Sequence, residues 1–230
     1  MSRGFFRVKV FYGGMESSNI FYVQNWGHAF LLDAGMVETA EAAMEAIRSS
    51  ALSEPEAIIL THSHIDHVAG IAAIRREIGE IPVFASPLAA MALNERDRIT
   101  TGAALLGVPL PEMTVGELPV CLCDSDSSDC RTPLPFLDGI EVFSTPGHTE
   151  GSIVLFHRES GSLFSGDTVF ANGGVGRWDL PTGNFYELIK SLEFLRRLDV
   201  EAMYPGHGAV VEGGGKFHIE ESYRALEAYT

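Results

Sequence analysis

The sequence predicts an α/β fold with helices lying outside packed β-sheets, in one domain over residues 1–230. Three observations carry this. Strand-like segments gather at the start of the chain and again after residue 139. Each group is followed by segments of helical periodicity. No solenoid-length repeat or low-complexity linker interrupts the order, and 230 residues are enough to bury a real core.

In chain order, FFRVKVFY (5–12), SNIFYVQN (18–25) and HAFLLDAG (28–35) are rich in Phe, Val, Ile and Tyr and are divided by Gly-bearing turns, so they read as strands. ETAEAAMEAIRSS (38–50) repeats Ala, Met and Ile at helical spacing. AIILTH (57–62) is a short apolar strand. HVAGIAAIRREIG (67–79) reads as a helix, PVFAS as a strand, and segments 87–95 and 97–107 as helices. Residues 111–138 read as irregular, with the Ser, Asp and Pro content of a surface loop. IEVFSTPG, GSIVLFHR and SLFSGD follow as strands, GNFYELIKSLEFLRRL (183–198) as an amphipathic helix, VEAMYPGHG (200–208) as a strand and turn, and HIEESYRALEAY (218–229) as the last helix.

Composition narrows the function. The chain carries 31 Asp+Glu against 16 Lys+Arg, a net charge of -15. Such a surface repels nucleic-acid phosphates and anionic membranes, so a small-molecule substrate is expected, with no nucleic acid and no membrane. Oligomeric state is open. No window reaches the roughly 18 unbroken apolar residues of a membrane span, and the N-terminus lacks a signal-peptide core, so a cytoplasmic location is expected by default. Cys121, Cys123 and Cys130 are odd in number and share one polar segment. They read as spare thiols rather than a disulfide framework or a structural zinc site.

The chemistry concentrates in THSHIDHVAG (61–70). His62 and His64 are two apart, so both can turn toward one ion. Asp66 and His67 follow as the chain enters a helix and face another. TPGHT adds His148, FSGDT adds Asp167 and YPGHG adds His207, each beside a Gly near a strand end. A catalytic zinc takes few protein ligands and leaves a place for water, so five His and two Asp suit two ions better than one. The expected partition is His62, His64 and His148 on one ion and Asp66, His67 and His207 on the other. Asp167 would bridge them, because a carboxylate has two oxygens to share. Zinc is the first expectation, and iron or manganese suit the same donors. His28 is expected near a strand turn, and His157 and His218 are expected to face solvent.

His-x-His-x-Asp-His followed by separate His, Asp and His resembles the metallo-β-lactamase-fold superfamily. The resemblance runs from residue 62 to 207 and implies a four-layer αβ/βα sandwich, two mixed sheets with helices on the outer faces and metals at one edge. GDTVFANGGVGRWDLPTGN and YPGHG look most like the glyoxalase II-like thioester hydrolases. Asp167 speaks against the β-lactamase branch that has Cys there. The resemblance implies a thioester hydrolase in which a hydroxide bridging two metal ions attacks the carbonyl, with Asp66 orienting it or accepting its proton. Arg177, in Gly174-Val175-Gly176-Arg177, matches a basic residue that contacts the thiol portion of the substrate in that branch. An ordinary surface arginine is the other reading. Asp179 stands where the branch often has an aromatic, and residues 208–230 are expected to be too few for the helical domain that adds glutathione contacts.

Three alternatives stay open. A persulfide dioxygenase would use one iron on His62, His148 and Asp167. A lactonase would use the same hydroxide in a different pocket. A non-catalytic metal-binding scaffold is the third.

Overall fold

A computed structural model describes residues 6–121 and 134–229. Strands β1 (Phe6–Phe11), β2 (Ile20–Asn25) and β3 (His28–Leu32) pair antiparallel. β4 (Ile58–Ile59), β5 (Val83–Ala85) and β6 (Val115–Glu117) then add in parallel, giving a mixed six-stranded sheet in sequential order. The second sheet has four strands in the order β10-β9-β8-β7, from β7 (Ile140–Ser144), β8 (Ile153–His157), β9 (Ser162–Gly166) and β10 (Ala202–Pro205). Its β9–β10 pair is parallel and the rest antiparallel.

Three apolar cores lie between four layers. Helices α1 (Val37–Ser49), α3 (Ile71–Ile78) and α4 (Pro87–Asn94) cover the outer face of the first sheet, with Ile20, Tyr22, Leu31 and Ile58 against Met44, Ile47, Ile74 and Leu93. Phe21, Val23, Phe30 and Leu32 meet Ile140, Val142, Leu155 and Phe164 between the sheets. Helices α6 (Phe185–Leu195) and α7 (Gly215–Glu227) cover the second sheet through Leu188, Leu192, Ile219 and Leu226. Each such buried side chain is worth about 1.5–3 kcal/mol relative to exposure. β8 is buried along its whole length, as a strand sandwiched on both faces must be, and its sequence IVLFH is correspondingly unbroken by polar alternation until its last residue.

The structure departs from several sequence expectations. The helix expected over 67–79 starts earlier and is broken into α2 (Ile65–Val68) and α3. Gly70 sits at the break because the backbone runs tight against the β3–α1 turn: a Cβ there would lie 2.0 Å from the Ala34 carbonyl oxygen. Of the helix expected over 97–107, only α5 (Ala103–Leu106) forms. The Asp97 carboxylate accepts from the backbone N–H groups of Ile99 and Thr100, offering the chain a turn instead of a helix, and Gly102 is left-handed at φ 69°. Within 111–138, read as irregular, β6 and a short 3₁₀ turn at Pro135–Leu137 appear.

His157 is buried rather than solvent-facing: its ring stacks on Phe6 at 3.9 Å and Nδ1 bonds Ser160 Oγ at 2.7 Å. His218 is half-buried, and its Nδ1 accepts from the Asn172 N–H. Cys121 is disulfide-bonded, which corrects its reading as a spare thiol; a cysteine in a segment with other cysteines is free to oxidise rather than stand alone. Cys123 and Cys130 lie outside the described residues. Among the described residues no helix is long and apolar enough to cross a membrane.

Candidate metal centre

Four chain segments deliver the seven expected side chains to one edge of the sandwich. The turn after β4 and helix α2 carry His62, His64, Asp66 and His67. The β7–β8 loop carries His148, the end of β9 leads into Asp167, and the turn after β10 carries His207. All four of these points follow strands, where a rigid ladder ends and the chain is free to turn.

The side chains fall into three sets. His62, His64 and His148 bring one donor atom each within 4.8 Å of one another, as do Asp66, His67 and His207. A third set, His62, His67 and Asp167, joins the two. His148 Nε2 lies 2.9 Å from His64 Nδ1 and 3.2 Å from His62 Nε2. On the other side His67 Nε2 is 3.3 Å from His207 Nε2, which is 3.0 Å from Asp66 Oδ2. Asp167 stands between: Oδ1 is 3.4 Å from His67 Nε2, and Oδ2 is 3.6 Å from His148 Nε2 and 3.5 Å from His207 Nε2.

The outward nitrogens fix which inward ones hold bare lone pairs. His148 Nδ1 donates to the Arg177 carbonyl at 2.7 Å, leaving Nε2 unprotonated in the neutral ring. His67 Nδ1 donates to Asp33 Oδ2 at 2.8 Å. The Thr61 hydroxyl donates to the same Asp33 oxygen at 2.9 Å, so its oxygen accepts from His62 Nδ1 at 3.1 Å. One fully buried carboxylate thereby orients His67 directly and His62 through Thr61. Asp33 itself is left-handed at φ 59°, an uncommon state for a non-glycine residue, and is held there by its N–H donating to the Ile59 carbonyl and by the Thr61 N–H donating to its Oδ1. Sequence reading missed it. The signal was a lone Asp ending an otherwise apolar strand, LLDAG, nearly thirty residues upstream of the cluster.

This donor set fits a metal. The Nε2 lone pairs of His62 and His148, left bare and 3.2 Å apart, repel unless a cation lies between them. Asp167 Oδ1 is buried without a hydrogen-bond partner, a state that costs free energy unless a cation meets it. Outer partners of the Asp33 kind are what metal-bound histidines require. The ionisation pattern differs between the two sets. Burial pushes His62 well below its ordinary value and His64 down to about 4, with neighbouring imidazoles adding to it. Burial also lowers His148, against the pull of Asp167. His67 is raised well above its ordinary value: burial opposes this, but Asp33, Asp167 and Asp66 outweigh it. Asp66 and Asp167 stay below the usual carboxylate range despite burial, held there mainly by His67.

The rear of the centre is bare backbone. A Cβ on Gly206 would lie 2.2 Å from Asp167 Oδ1, and one on Gly176 would lie 2.8 Å from His148 Nδ1 and 2.0 Å from the Asp167 carbonyl oxygen. The front opens into a cavity of about 1130 Å³ that has His64, Asp66, His148, Asp167 and His207 in its lining. Arg177 lies on the same cavity, but its guanidinium is held in a two-point pair with Asp179 at 2.9 and 2.8 Å.

Comparison with known proteins agrees with this picture. The family model for the metallo-beta-lactamase superfamily matches residues 13–207. A probable metallo-hydrolase, MJ0888, from Methanocaldococcus jannaschii is 32% identical over 185 residues, covering 78% of this chain and 82% of that protein. The crystal structure of TTHA1623 in a di-iron-bound form is 28% identical, with TM-score 0.70 over 94% of this chain and 95% of that one. That of BLEG-1 B3 metallo-beta-lactamase is also 28% identical, with TM-score 0.71 over 89% and 93%.

Proposed function

This chain belongs to the metallo-beta-lactamase superfamily, and from that premise we propose that it is a dinuclear metal-dependent hydrolase acting on a thioester. The observation that carries the reading is the position of Asp167, a buried carboxylate whose Oδ1 has no hydrogen-bond partner and whose oxygens lie near donors of both sets. His62, His64 and His148 would hold one ion, Asp66, His67 and His207 the other, and Asp167 both. The di-iron form of the TTHA1623 structure supports two ions in this framework. Zinc, iron and manganese all suit these donors.

When bound, such ions polarise a carbonyl and lower the pKa of a coordinated water to about 7. The chain's own residues supply the remainder. Asp66 stays ionised at the cavity floor, placed to orient an attacking water or take its proton. Asp33, Thr61 and the Arg177 carbonyl hold the imidazoles in fixed tautomers, so no reorganisation is needed during attack. Water adds to the thioester carbonyl carbon, the C–S bond breaks, and the sulfur leaves as a thiolate that takes a proton from solvent. A thiol of pKa near 8.5 leaves without a strong general acid.

Elemental analysis of the purified protein, run beside a panel of thioesters, lactones and glutathione persulfide, tests this. Two equivalents of metal and release of free thiol are expected. Two bound ions with no turnover of any thioester would remove the thioester assignment, and lactone turnover alone would replace it by lactonase. One iron per chain with oxygen uptake on the persulfide would establish the dioxygenase alternative on His62, His148 and Asp167.

A further inference from the structure

The cavity over the centre has a polar floor and apolar walls. The apolar lining includes Met15, Ile99, Leu105 and Leu106, together with Phe170, Val175 and Leu180. The first four are 99%, 68%, 74% and 55% exposed, a costly arrangement for side chains of this size unless something covers them. The wall is part of the same frame as the ligands. The Ile65 N–H, at the start of the ligand-bearing helix α2, donates to the Thr101 carbonyl at 2.9 Å, and the turn carrying Ile99 is fixed by Asp97.

Charge points the same way. Among the described residues lining the cavity, Arg177 is the one Lys or Arg, and Asp179 neutralises it. Glu16 is the remaining charged residue there outside the ligands. A carrier bearing carboxylates or phosphates would therefore meet no unopposed cation at the rim, on a chain of net charge -15.

Resting on the hydrolase reading above, we infer that the substrate of this centre has an apolar acyl chain and an uncharged leaving portion. The acyl chain lies along Ile99, Leu105 and Leu106, and the reacting carbonyl lies over the floor. Glutathione thioesters are then poor substrates, for want of a free cation rather than want of space.

The test uses the metal-loaded full-length protein and two thioester series, acetyl to decanoyl, one on uncharged N-acetylcysteamine and one on glutathione. kcat/KM should rise about two- to fourfold per methylene between butanoyl and octanoyl, since a fully buried methylene is worth about 0.8 kcal/mol. The uncharged series should exceed the glutathione series at every chain length. Leu105→Ser and Ile99→Ser should flatten the slope, a ratio internal to each protein sample and so independent of yield or metal loading. In parallel, the uncharged dye Nile red should brighten on the protein, be displaced by octanol, and bind Leu105→Ser more weakly.

A flat slope with acetyl thioesters turned over overturns this inference and leaves the hydrolase reading standing. No turnover of any thioester, with dye bound and weakened by Leu105→Ser, overturns the thioester reading while the apolar cavity stands. A dimer that Leu105→Ser converts to monomer, with no dye bound by either, assigns the patch to contact between copies and overturns the inference.

Discussion

The two ligand sets of the centre are built from nearly the same residue types yet behave as opposites. His62, His64 and His148 are three imidazoles kept free of protons by burial and mutual repulsion. Asp66, His67 and His207 include a carboxylate and a histidine that three carboxylates hold in its charged form. Without a cation, a proton on His67 occupies the place that an ion would take. The difference teaches that equal donor geometry does not mean equal loading. The imidazole set offers bare lone pairs at neutral pH, whereas the carboxylate set must give up a proton first.

The sharpest way to break this comparison is at the residue both sets share. Asp167→Ala should lower metal content at both sets and reduce hydrolysis by about a thousandfold, the several kcal/mol that ion-stabilised charge supplies. If one full equivalent of metal remains with unchanged affinity, Asp167 is not shared. His148→Ala and Asp66→Ala should each empty one set and spare the other, read as two different single-equivalent proteins by elemental analysis and by the spectrum of a cobalt substitute.

Asp33→Asn should act at intermediate strength. It places an N–H₂ or a weaker acceptor against the His67 Nδ1–H, and a loss of about 10–100-fold in metal affinity is expected, largest at the carboxylate set. Equal weakening of both sets would mean that the Thr61 relay to His62 matters as much as the direct bond.

Acidification gives a graded version of the same contrast. Each proton competes with an ion for one nitrogen. His64, at about 4, competes only near that pH, while His67, raised above its ordinary 6.5, competes already at neutrality. As pH falls, the carboxylate set should lose its ion first and the imidazole set should hold to lower pH. Metal release followed by a chromophoric chelator should show two separated steps in that order, and a single step would show that the sets load as one.

The smallest effect is expected at Arg177. Its backbone carbonyl, not its guanidinium, bonds His148, and its side chain is exposed and paired with Asp179. Arg177→Ala should leave both equivalents of metal in place, and a lost equivalent would give the side chain a role in the centre.

These contrasts were unevenly legible in the sequence. Four ligands stood out because they crowd into six positions after an apolar run, and His148, Asp167 and His207 because each sits next to glycine near a strand end, patterns that survive without knowing what pairs with what. Asp33 did not, because its role depends on a left-handed backbone and on contact with a residue 34 positions away. β6 was invisible because three residues, VGE, carry no periodicity, and a parallel edge strand is specified by its neighbour rather than by itself. The split between α2 and α3 was equally hidden, since only the folded chain brings the Ala34 carbonyl against Gly70. His157 looked like surface because it lies outside the ligand motifs, and its burial under Phe6 is a contact between distant parts of the chain.

The glycines at 176 and 206 have a consequence for how such a protein can change. Any side chain at either would displace Asp167 or His148, so inherited variation has no room behind the centre. The cavity rim is exposed, oily and unconstrained by coordination. Descendants of this sequence can therefore acquire new preferences by redrawing residues such as Ile99 or Leu105 while the reactive core stays frozen.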